Sequence, residues 1–242
     1  MSAYFFSDVH LGLGPKDEER KKEDRLLSFL QSIMADTSHL FIVGDLFDFW
    51  FEYKTVIPKG FHRTLAMLDE FRGRNIEIHY LIGNHDCWMG DFFSTEMGIH
   101  IHHDPFEIKI QRKRVFLHHG DGLAQNDLGY RIVRPILRNR LNVWMYRWLH
   151  PDIGVRIAKG TSRSSRAYTT TKHYGEESGM LKFAEEKIRE GCDIVVMGHR
   201  HQPNVQTFNG GSYVNLGDWI THNTFGHLKD GVMTLNTWKG KP

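Results

Sequence analysis

The amino-acid sequence predicts an α/β fold with a mainly parallel sheet and a second, partly antiparallel sheet. Up to residue 82, short apolar runs alternate with segments of helical spacing, and this β-α-β-α-β order favours parallel strands joined by right-handed crossovers. After residue 98 the pattern changes to alternating strands around a polar turn, which indicates a hairpin. Five apolar runs also end in His, Asp or Asn, and polar side chains at strand ends are typical of the crevice where α/β sheets bind ligands.

The first half of the chain supplies three strands and two helices of this fold. Apolar runs predict strands at about 3–7, 40–43 and 76–82. After the charged segment Lys16–Asp24, a helix is indicated by the spacing of its apolar side chains, which are Leu26, Leu27, Leu30, Ile33 and Met34. A second helix is expected from about Phe61 to Phe71, and Gly73 is expected to follow it as the C′ glycine.

The second half continues with the hairpin, an insertion and a return to β structure. The hairpin pairs residues 106–110 with 115–117 across the polar turn Gln111–Arg114. Helical spacing runs from Tyr130 to about Leu149, and the segment from Gly160 to Tyr174, rich in Ser, Thr and basic residues, is expected to be a loop or a short helix. Together they suggest one domain with a helical insertion at about 124–175. A helix and four strands complete the chain, at about 176–190, 193–197, 204–208, 213–216 and 231–236.

The composition is that of a single globular domain. The 242 residues are 40% apolar and 25% charged, which excludes a disordered chain. Cys87 and Cys192 provide neither a disulfide framework nor a thiolate metal pattern, so a reducing compartment is expected. The chain begins directly with a strand, which leaves no room for a signal peptide, and its apolar runs are shorter than the roughly 18 residues of a transmembrane helix.

Five stretches, each at the end of an apolar run, carry side chains that bind metal ions. They are Asp8-Val9-His10, Gly44-Asp45-Leu46-Phe47-Asp48, Gly83-Asn84-His85-Asp86, His118-His119-Gly120-Asp121 and Gly198-His199-Arg200-His201. Each alone is weak, since the chain has 16 histidines and some adjacency of His and Asp is expected. Together, each closing a strand, they have no comparably simple structural explanation. If they converge on one crevice, they would supply the ligands for two metal ions, with Asp45 shared between the ions.

The residue types indicate which ions and which reaction are expected. Asp8 and His10 are two apart, so on a strand they would face the same side and bind one ion. His199 and His201 have the same spacing, although a loop that begins with glycine could send them to neighbouring ions. Oxygen and nitrogen ligands without thiolates suit Mn²⁺, Fe²⁺, Zn²⁺ or Co²⁺. Two such ions lower the pKa of a bridging water and clamp both oxygens of an in-line displacement at phosphorus, which predicts phosphoester or phosphoanhydride hydrolysis.

These motifs resemble the calcineurin-like metallophosphoesterase superfamily, whose pattern they follow from residue 8 to residue 201. The resemblance implies a four-layer α/β/β/α sandwich. It also implies two overlapping ligand sets: Asp8, His10, Asp45 and His201 for one ion, and Asp45, Asn84, His119 and His199 for the other. His85 would stabilise the phosphoryl oxygens or protonate the leaving group, and Asp86 would orient its ring. His119 is preferred to His118 because the family ligand directly precedes Gly-Asp.

The insertion indicates the class of substrate. It holds ten Lys and Arg between Arg131 and Lys172 against one acidic residue, Asp152, together with two tryptophans at helical spacing. This combination suits an anionic amphiphile or an anionic membrane surface. The alternative is a core-packed helix whose arginines are merely solvated.

The chain is also similar to the UDP-2,3-diacylglucosamine pyrophosphatases of lipid A biosynthesis. The similarity rests on Gly44 to Trp50, on the basic insertion and on Leu216-Gly217-Asp218-Trp219. It implies that the insertion is a lid over acyl chains, and that UMP and 2,3-diacylglucosamine 1-phosphate are the products. It further implies Mn²⁺ as the most suitable ion, and a cytoplasmic location with peripheral attachment to the inner membrane. The substrate contacts that it implies are Asn84, Asp127, Tyr130, Arg163, Ser165 and Lys172.

One departure and two alternatives accompany this expectation. The best-known members of the family have Gly-Asn-Arg-Asp where this chain has Gly83-Asn84-His85-Asp86. A hydrolase of other nucleotide phosphoesters, or a nuclease, would use the basic insertion to follow phosphates, yet the aromatic residues of the insertion lie at helical spacing among aliphatics, unlike exposed stacking platforms. Nucleic acid is therefore not an expected partner. A non-catalytic interaction protein on the same fold would be expected to have lost ligands, and all seven candidates are present.

Overall fold

The computed structural model describes residues 1–123, 135, 139–158, 160 and 176–240. Within these residues the strands form two sheets. In the first, the order is β11-β10-β1-β2-β3-β4, and in the second it is β5-β6-β7-β9-β8. The strands are β1 (Ser2–Phe6), β2 (Thr37–Val43), β3 (Glu77–Leu81), β4 (His100–His102), β5 (Phe106–Ile110), β6 (Lys113–His118), β7 (Ile194–Met197), β8 (Asn204–Phe208), β9 (Gly211–Asn215), β10 (Thr224–Lys229) and β11 (Val232–Thr237).

Both sheets are mixed, with parallel strands at their centres. Strands β1 to β4 are parallel to one another in the first sheet, and β6, β7 and β9 are parallel in the second. Antiparallel partners extend the edges. The described helices include α1 (Lys16–Ile33), α2 (His62–Gly73), α3 (Phe92–Thr95), α4 (Arg140–Tyr146) and α5 (Glu176–Arg189), and residues 151–158 are also helical.

Three apolar clusters show the order of the layers. In β1, the side chains of Tyr4 and Phe6 pack with those of α1 and α2, whereas Phe5 lies in the cluster between the two sheets. A third cluster packs α5 against the outer face of the second sheet through residues such as Met180 and Val195. Strands that are buried on both faces need not alternate, which explains why β1 and β2 appear as continuous apolar runs. The layers are therefore α/β/β/α, which confirms the predicted fold class.

Helix α1 begins earlier than the apolar spacing indicated. The charged segment from Lys16 to Asp24 belongs to the helix, and Lys22 and Glu23 are buried. Lys22 donates to the carbonyl of His10, and Thr64 donates to Glu23. Because these charged side chains have partners within the fold, they can be buried. Hydrophobic periodicity assigns charged residues to the solvent, so it did not indicate this part of the helix.

Two turns also differ from expectation. The hairpin turn is only two residues long, because Ile110 pairs with Lys113, and both Gln111 and Arg112 have positive φ, as tight hairpins require. Gly73 is the last residue of α2, and the left-handed residue beyond this helix is Asn75. Asparagine tolerates this conformation because its short polar side chain hydrogen-bonds locally.

The described part of the insertion is helical. Helix α4 lies within the predicted helical segment, and residues 151–158 form a further helix inside the predicted helical insertion. Strands β4 and β10 were not predicted. Among the described residues, no helix combines the length and the apolar character needed to cross a bilayer.

Candidate metal centre

The candidate ligands lie at the carboxyl ends of parallel strands in both sheets. Asp8, Asp45 and Asn84 follow β1, β2 and β3 of the first sheet. His119 follows β6, and both His199 and His201 follow β7, in the second sheet. The packing of the two sheets brings these strand ends to one crevice, as the sequence predicted.

Left-handed backbone conformations turn these side chains inward. Five of the seven candidate ligands have φ between +49° and +70°, and these are Asp8, His10, Asp45, His199 and His201. Such conformations are costly outside glycine and cluster at functional sites, where the surrounding structure maintains them. Asp8 and His10 therefore converge for a reason other than strand alternation, because β1 ends at Phe6.

One group of ligands forms around Asp8. His10 Nε2 lies 3.8 Å and His201 Nε2 lies 3.6 Å from Asp8 Oδ1. The three side chains offer ligand atoms close enough to share one ion. Asp8 Oδ1 and both ring nitrogens of His10 are buried and have no hydrogen-bond partner within the described structure. Buried polar atoms without partners are costly, and a bound cation would satisfy the carboxylate oxygen and one ring nitrogen.

A second group forms around Asp45. His119 Nε2 lies 3.3 Å from Asp45 Oδ2 and 3.0 Å from Asn84 Oδ1, and His199 belongs to the same set. His119 Nδ1 faces the carbonyl of Val43 at 2.9 Å, so a proton on Nδ1 leaves Nε2 as the metal-binding nitrogen. His199 and His201 thus lie in different groups, the outcome that the sequence left open.

Asp45 links the two groups. Its Oδ2 also lies 3.7 Å from His10 Nε2, and its Oδ1 accepts from the backbone N–H of His85 at 2.9 Å. His118 points elsewhere, since its Nδ1 accepts from the N–H of Gly120 at 2.7 Å. The structure therefore places His119, and not His118, beside Asp45.

The predicted orienting role of Asp86 is corrected by the structure. Asp86 is fully buried, and its carboxylate accepts from the N–H groups of Leu46 and Gly83 and from the hydroxyl of Tyr80, so that it holds the two ligand loops together. The carboxylate beside the His85 ring is that of Asp48, whose Oδ1 lies 3.6 Å from His85 Nδ1. The same oxygen lies 3.4 Å from His10 Nδ1.

The electrostatic field of the site favours cations. Burial works against a charged His10, but the carboxylates of Asp48 and Asp8, which lie 3.4 Å and 3.8 Å from its ring nitrogens, outweigh burial and raise the pKa of His10 to about 9. Burial likewise opposes charge on Asp45, and the neighbouring His119, His85 and His10 hold its pKa well below the usual value. Ionised carboxylates among imidazoles are a suitable donor set for divalent transition metals.

Asp218 supports the site, and the sequence analysis gave it no role. Its Oδ2 lies 3.2 Å from His201 Nδ1, and its Oδ1 accepts from three consecutive N–H groups, Ile220 to His222. Burial alone would raise the pKa of Asp218, but these hydrogen bonds lower it to about 2. A carboxylate behind a metal-binding histidine fixes the tautomer and orients the ring. Its signal was present, because Gly217-Asp218 follows an apolar run just as Gly44-Asp45 does.

Glycines before the ligands are required by close packing. A Cβ atom on Gly44, which has φ +85°, would collide with the ring of His119. One on Gly83 would collide with the carboxylate of Asp45. These glycines allow the ligand of one strand to pack on the backbone of its neighbour, which explains their place in the motifs.

A mostly apolar cavity of about 560 Å³ adjoins the metal centre. Its wall includes Asp48, whose Oδ1 lies 3.4 Å from His10 Nδ1 and 3.6 Å from His85 Nδ1. The apolar lining combines the loop after β2 with the insertion, and includes Leu11, Phe51, Val56, Ile57, Phe61 and Val155. Lys59 and Arg156 add positive charge to this wall. Of the predicted substrate contacts, Asn84 lies in the site, whereas Asp127, Tyr130, Arg163, Ser165 and Lys172 lie outside the described residues.

Comparison with known proteins identifies relatives over nearly the whole chain. A family model described as calcineurin-like phosphoesterase matches residues 1–203. A UDP-2,3-diacylglucosamine hydrolase from Porphyromonas gingivalis is 31% identical over 240 residues, which cover 92% of each chain. The enzyme of that name from Aeromonas salmonicida is 29% identical over 91% of this chain and 87% of its own.

A solved structure also shares the fold. YfcE, a phosphoesterase from E. coli, aligns with a TM-score of 0.50 over 99% of this chain and 94% of its own. Its sequence identity is 16%, so this likeness concerns the fold alone.

Proposed function

The chain belongs to the calcineurin-like phosphoesterase family, and we propose that it hydrolyses the pyrophosphate bond of UDP-2,3-diacylglucosamine to UMP and 2,3-diacylglucosamine 1-phosphate. One observation carries the proposal: Asp48 belongs both to the candidate metal centre and to the wall of the apolar cavity. A substrate with phosphates in the centre and acyl chains in the cavity would fill both. The curated relatives that carry this enzyme name support the choice.

Two divalent ions, most suitably Mn²⁺, would be held by two sets of side chains. Asp8, His10 and His201 would hold one, His119, His199 and Asn84 the other, and Asp45 would be shared. When bound, such ions lower the pKa of a bridging water and neutralise the oxygens of the phosphoryl group. The protein orients the imidazoles through the Val43 carbonyl and Asp218, so each ring presents Nε2 to its ion.

His85 is the proposed catalytic residue of the chain itself. Its Nδ1 faces the carbonyl of Asp48 at 3.1 Å, which favours a proton on that nitrogen. Nε2, on the other side of the ring, would contact the phosphoryl oxygens or deliver a proton to the leaving group. Asp86 would act through the loops, since it ties Leu46 to Gly83 and thereby holds Asp45 and Asn84 at fixed positions.

The insertion at about 124–175 is proposed to be a lid over the acyl chains. Pro151, Val155 and Arg156 contribute to the cavity wall opposite the loop after β2. Tyr146 of α4 packs its ring against Phe51 and Trp88, each at a centroid distance of 4.7 Å. Asp127, Tyr130, Arg163, Ser165 and Lys172 are proposed to contact the sugar phosphate and the nucleotide.

The test is Mn²⁺-dependent release of UMP from UDP-2,3-diacylglucosamine, measured beside bis-p-nitrophenyl phosphate and short DNA and RNA. We expect a strong preference for the lipid nucleotide and loss of activity in Asp45→Ala. Asp230→Ala, which replaces a turn aspartate between β10 and β11, is the matched control. If only generic diesters or nucleic acid are hydrolysed, the proposed metal centre stands and the proposed substrate is wrong.

We further propose that the protein works at the cytoplasmic face of the inner membrane as a peripheral protein. Large apolar side chains are exposed on the described part of the insertion, and they are Leu141, Trp144, Met145, Trp148, Ile153 and Ile157. Exposed tryptophan beside basic residues suits an anionic interface. Vesicles of anionic and of neutral phospholipid test this proposal. Trp148→Ser should weaken co-sedimentation with the anionic vesicles, and Val205→Ser, an exposed apolar residue on β8, should not. Equal binding of the two variants to anionic vesicles would contradict the proposed membrane attachment.

A further inference from the structure

We propose that Glu19 and Lys22 of α1 are positioning residues for His10, which they hold in its metal-binding conformation through the backbone of the loop from His10 to Gly14. The proposal deepens the proposed function, because it concerns the same metal centre, and it assigns a task to the charged start of α1. Neither residue contacts the candidate ligand atoms, so their effect would be exerted through the loop.

Lys22 holds the loop at its first residue. Its side chain is only 5% exposed. The ammonium group donates to the carbonyl oxygen of His10 at 2.6 Å and lies 2.9 Å from Glu19 Oε1. The N–H of Leu13 also approaches the His10 carbonyl, at 3.3 Å. The peptide group after the candidate ligand is thus fixed by α1.

Glu19 holds the same loop further along. Its Oε2 accepts from the N–H of Gly12 at 2.6 Å, and its Oε1 accepts from the N–H of Gly14 at 2.9 Å. One carboxylate therefore satisfies two backbone donors and neutralises Lys22. Hydrogen bonds in which one partner is ionised are about twice as strong as neutral ones, so this pair forms a firm clamp on the loop.

The backbone at His10 needs such a clamp. His10 has φ +49°, Asp8 has φ +54°, and Gly12 has φ +95°, so the loop changes direction repeatedly. Strained residues keep these conformations only when their surroundings over-determine them. On the other side, the N–H of His10 donates to the carbonyl of Asp45. Asp45 thus holds the peptide group before His10, and Lys22 of α1 holds the peptide group after it.

The clamp is anchored to the rest of the fold. Glu23, the residue after Lys22, accepts a hydrogen bond from the hydroxyl of Thr64 at 3.0 Å and pairs with Arg63 at 3.1 Å. These two contacts join α1 to α2. A buried ion pair contributes little net stability compared with apolar residues of similar size. The pair of buried Lys22 and half-buried Glu19 is therefore better explained by the geometry that it imposes than by stability alone.

The test measures Mn²⁺ binding without any substrate, by equilibrium dialysis of the full-length protein. Lys22→Met and Glu19→Gln remove one part of the clamp each, and Lys21→Met is the matched control, since Lys21 is exposed on the same helix. We expect one of the two Mn²⁺ affinities, that of the group which contains His10, to fall by about 10-fold to 100-fold in both variants, the size of effect typical of groups that orient a metal ligand. The control should bind as wild type.

A purely structural role gives a different result. It would lower the unfolding temperature of the metal-free protein and leave both Mn²⁺ affinities unchanged at 25 °C, which would overturn the proposal. If Lys22→Met does not fold, the nearly isosteric Glu19→Gln decides alone. With bis-p-nitrophenyl phosphate, Glu19→Gln should need more Mn²⁺ for half-maximal rate but recover kcat at saturation. Because the dialysis contains no lipid, failure of the substrate proposal leaves this result unaffected.

Discussion

Asp218 illustrates how single residues outside the ligand set shape the metal centre. Asp218→Asn keeps the size of the side chain but replaces an ionised acceptor beside His201 Nδ1 with an amide. We expect Mn²⁺ affinity to fall by about 10-fold to 100-fold, because the imidazole loses the carboxylate that fixes its tautomer. Equilibrium dialysis measures this affinity. Asp193→Asn is the control, because the Asp193 carboxylate accepts from the N–H of Arg114 and not from a candidate metal ligand. Equal affinities in the two variants would contradict the role of Asp218.

The neighbouring histidines 118 and 119 provide a second test at this scale. His119→Ala should abolish hydrolysis and remove one bound ion, because it removes the ring beside Asp45 and Asn84. His118→Ala should retain both ions, since that ring accepts from the N–H of Gly120 and packs against Phe183. It should instead lower the unfolding temperature by a few degrees. Loss of an ion in His118→Ala, with both retained in His119→Ala, would reverse the assignment.

The sequence identified the candidate ligands because each follows an apolar run and belongs to a spaced motif. It did not identify the orienting partner of His85. Asp86 is adjacent in the chain, yet Asp48 is adjacent in space, and only folding brings the loops after β2 and β3 together. Adjacency in sequence is a poor guide to the residues that support a site, because their partners come from other strands.

Among the elements, α4 packs on the core through the aromatic side chain of Tyr146. Tyr146 packs on Phe51 and Trp88, and its hydroxyl donates to the carbonyl of Gly154 at 2.5 Å. Tyr146→Ala should raise KM for the diacylated substrate by about tenfold, since an aromatic pair is worth roughly 0.5–1.5 kcal/mol and this half-buried ring forms two. The rate with bis-p-nitrophenyl phosphate should stay within about twofold of wild type. Tyr146→Phe, which keeps the ring, is the control. Equal losses with both substrates would contradict a lid that acts on acyl chains.

The edge formed by β3 and β4 carries a cluster of histidine rings with a predictable pH dependence. His79 is 8% exposed and stacks near His39, His100 and His102. Burial, followed by the charges of the neighbouring imidazoles, lowers the pKa of His79 to about 3. In the unfolded chain the pKa is near 6.5, so below that pH the unfolded state gains a proton that the folded state does not.

Stability should therefore be complete above pH 6.5 and decline as the pH falls toward 3. Between pH 7.5 and 5, His79 should cost about 1–2 kcal/mol of unfolding free energy. Urea denaturation at both pH values measures this change. His79→Phe, which keeps an aromatic ring between Phe41 and Phe106, should show a smaller decline than wild type. His62→Gln, an exposed histidine at the start of α2, should not differ from wild type. An unchanged decline in His79→Phe would contradict the account.

Elements with strong hydrophobic periodicity were predicted within a few residues, and the others were missed for physical reasons. The start of α1 is charged, and its buried Lys22 and Glu23 have partners that periodicity cannot reveal. Strand β4 has only three residues, and β10 places Gly226 opposite Phe5 in the sheet. Glycine and short length both remove the apolar signal on which strand prediction depends.

At the scale of the whole molecule, the centre exists only where the two sheets meet. Asp8, Asp45 and Asn84 come from the first sheet, and His119, His199 and His201 come from the second. The cluster between the sheets, which contains Phe5 and Phe41 of the first sheet and Val196 and Val214 of the second, fixes the distance between these strand ends. Metal binding to the folded protein should consequently stabilise both sheets together, because the ligands of each ion span them.

Anomalous diffraction from crystals soaked in Mn²⁺ tests this arrangement most directly. We predict two peaks, one bounded by Asp8, His10 and His201 and the other by Asn84, His119 and His199, with the Asp45 carboxylate between them. The ions should lie about 3.5–4 Å apart, the separation at which two metals act on one phosphoryl group. A single peak, or peaks that Asp45 does not bridge, would contradict a dinuclear centre shared by the two sheets.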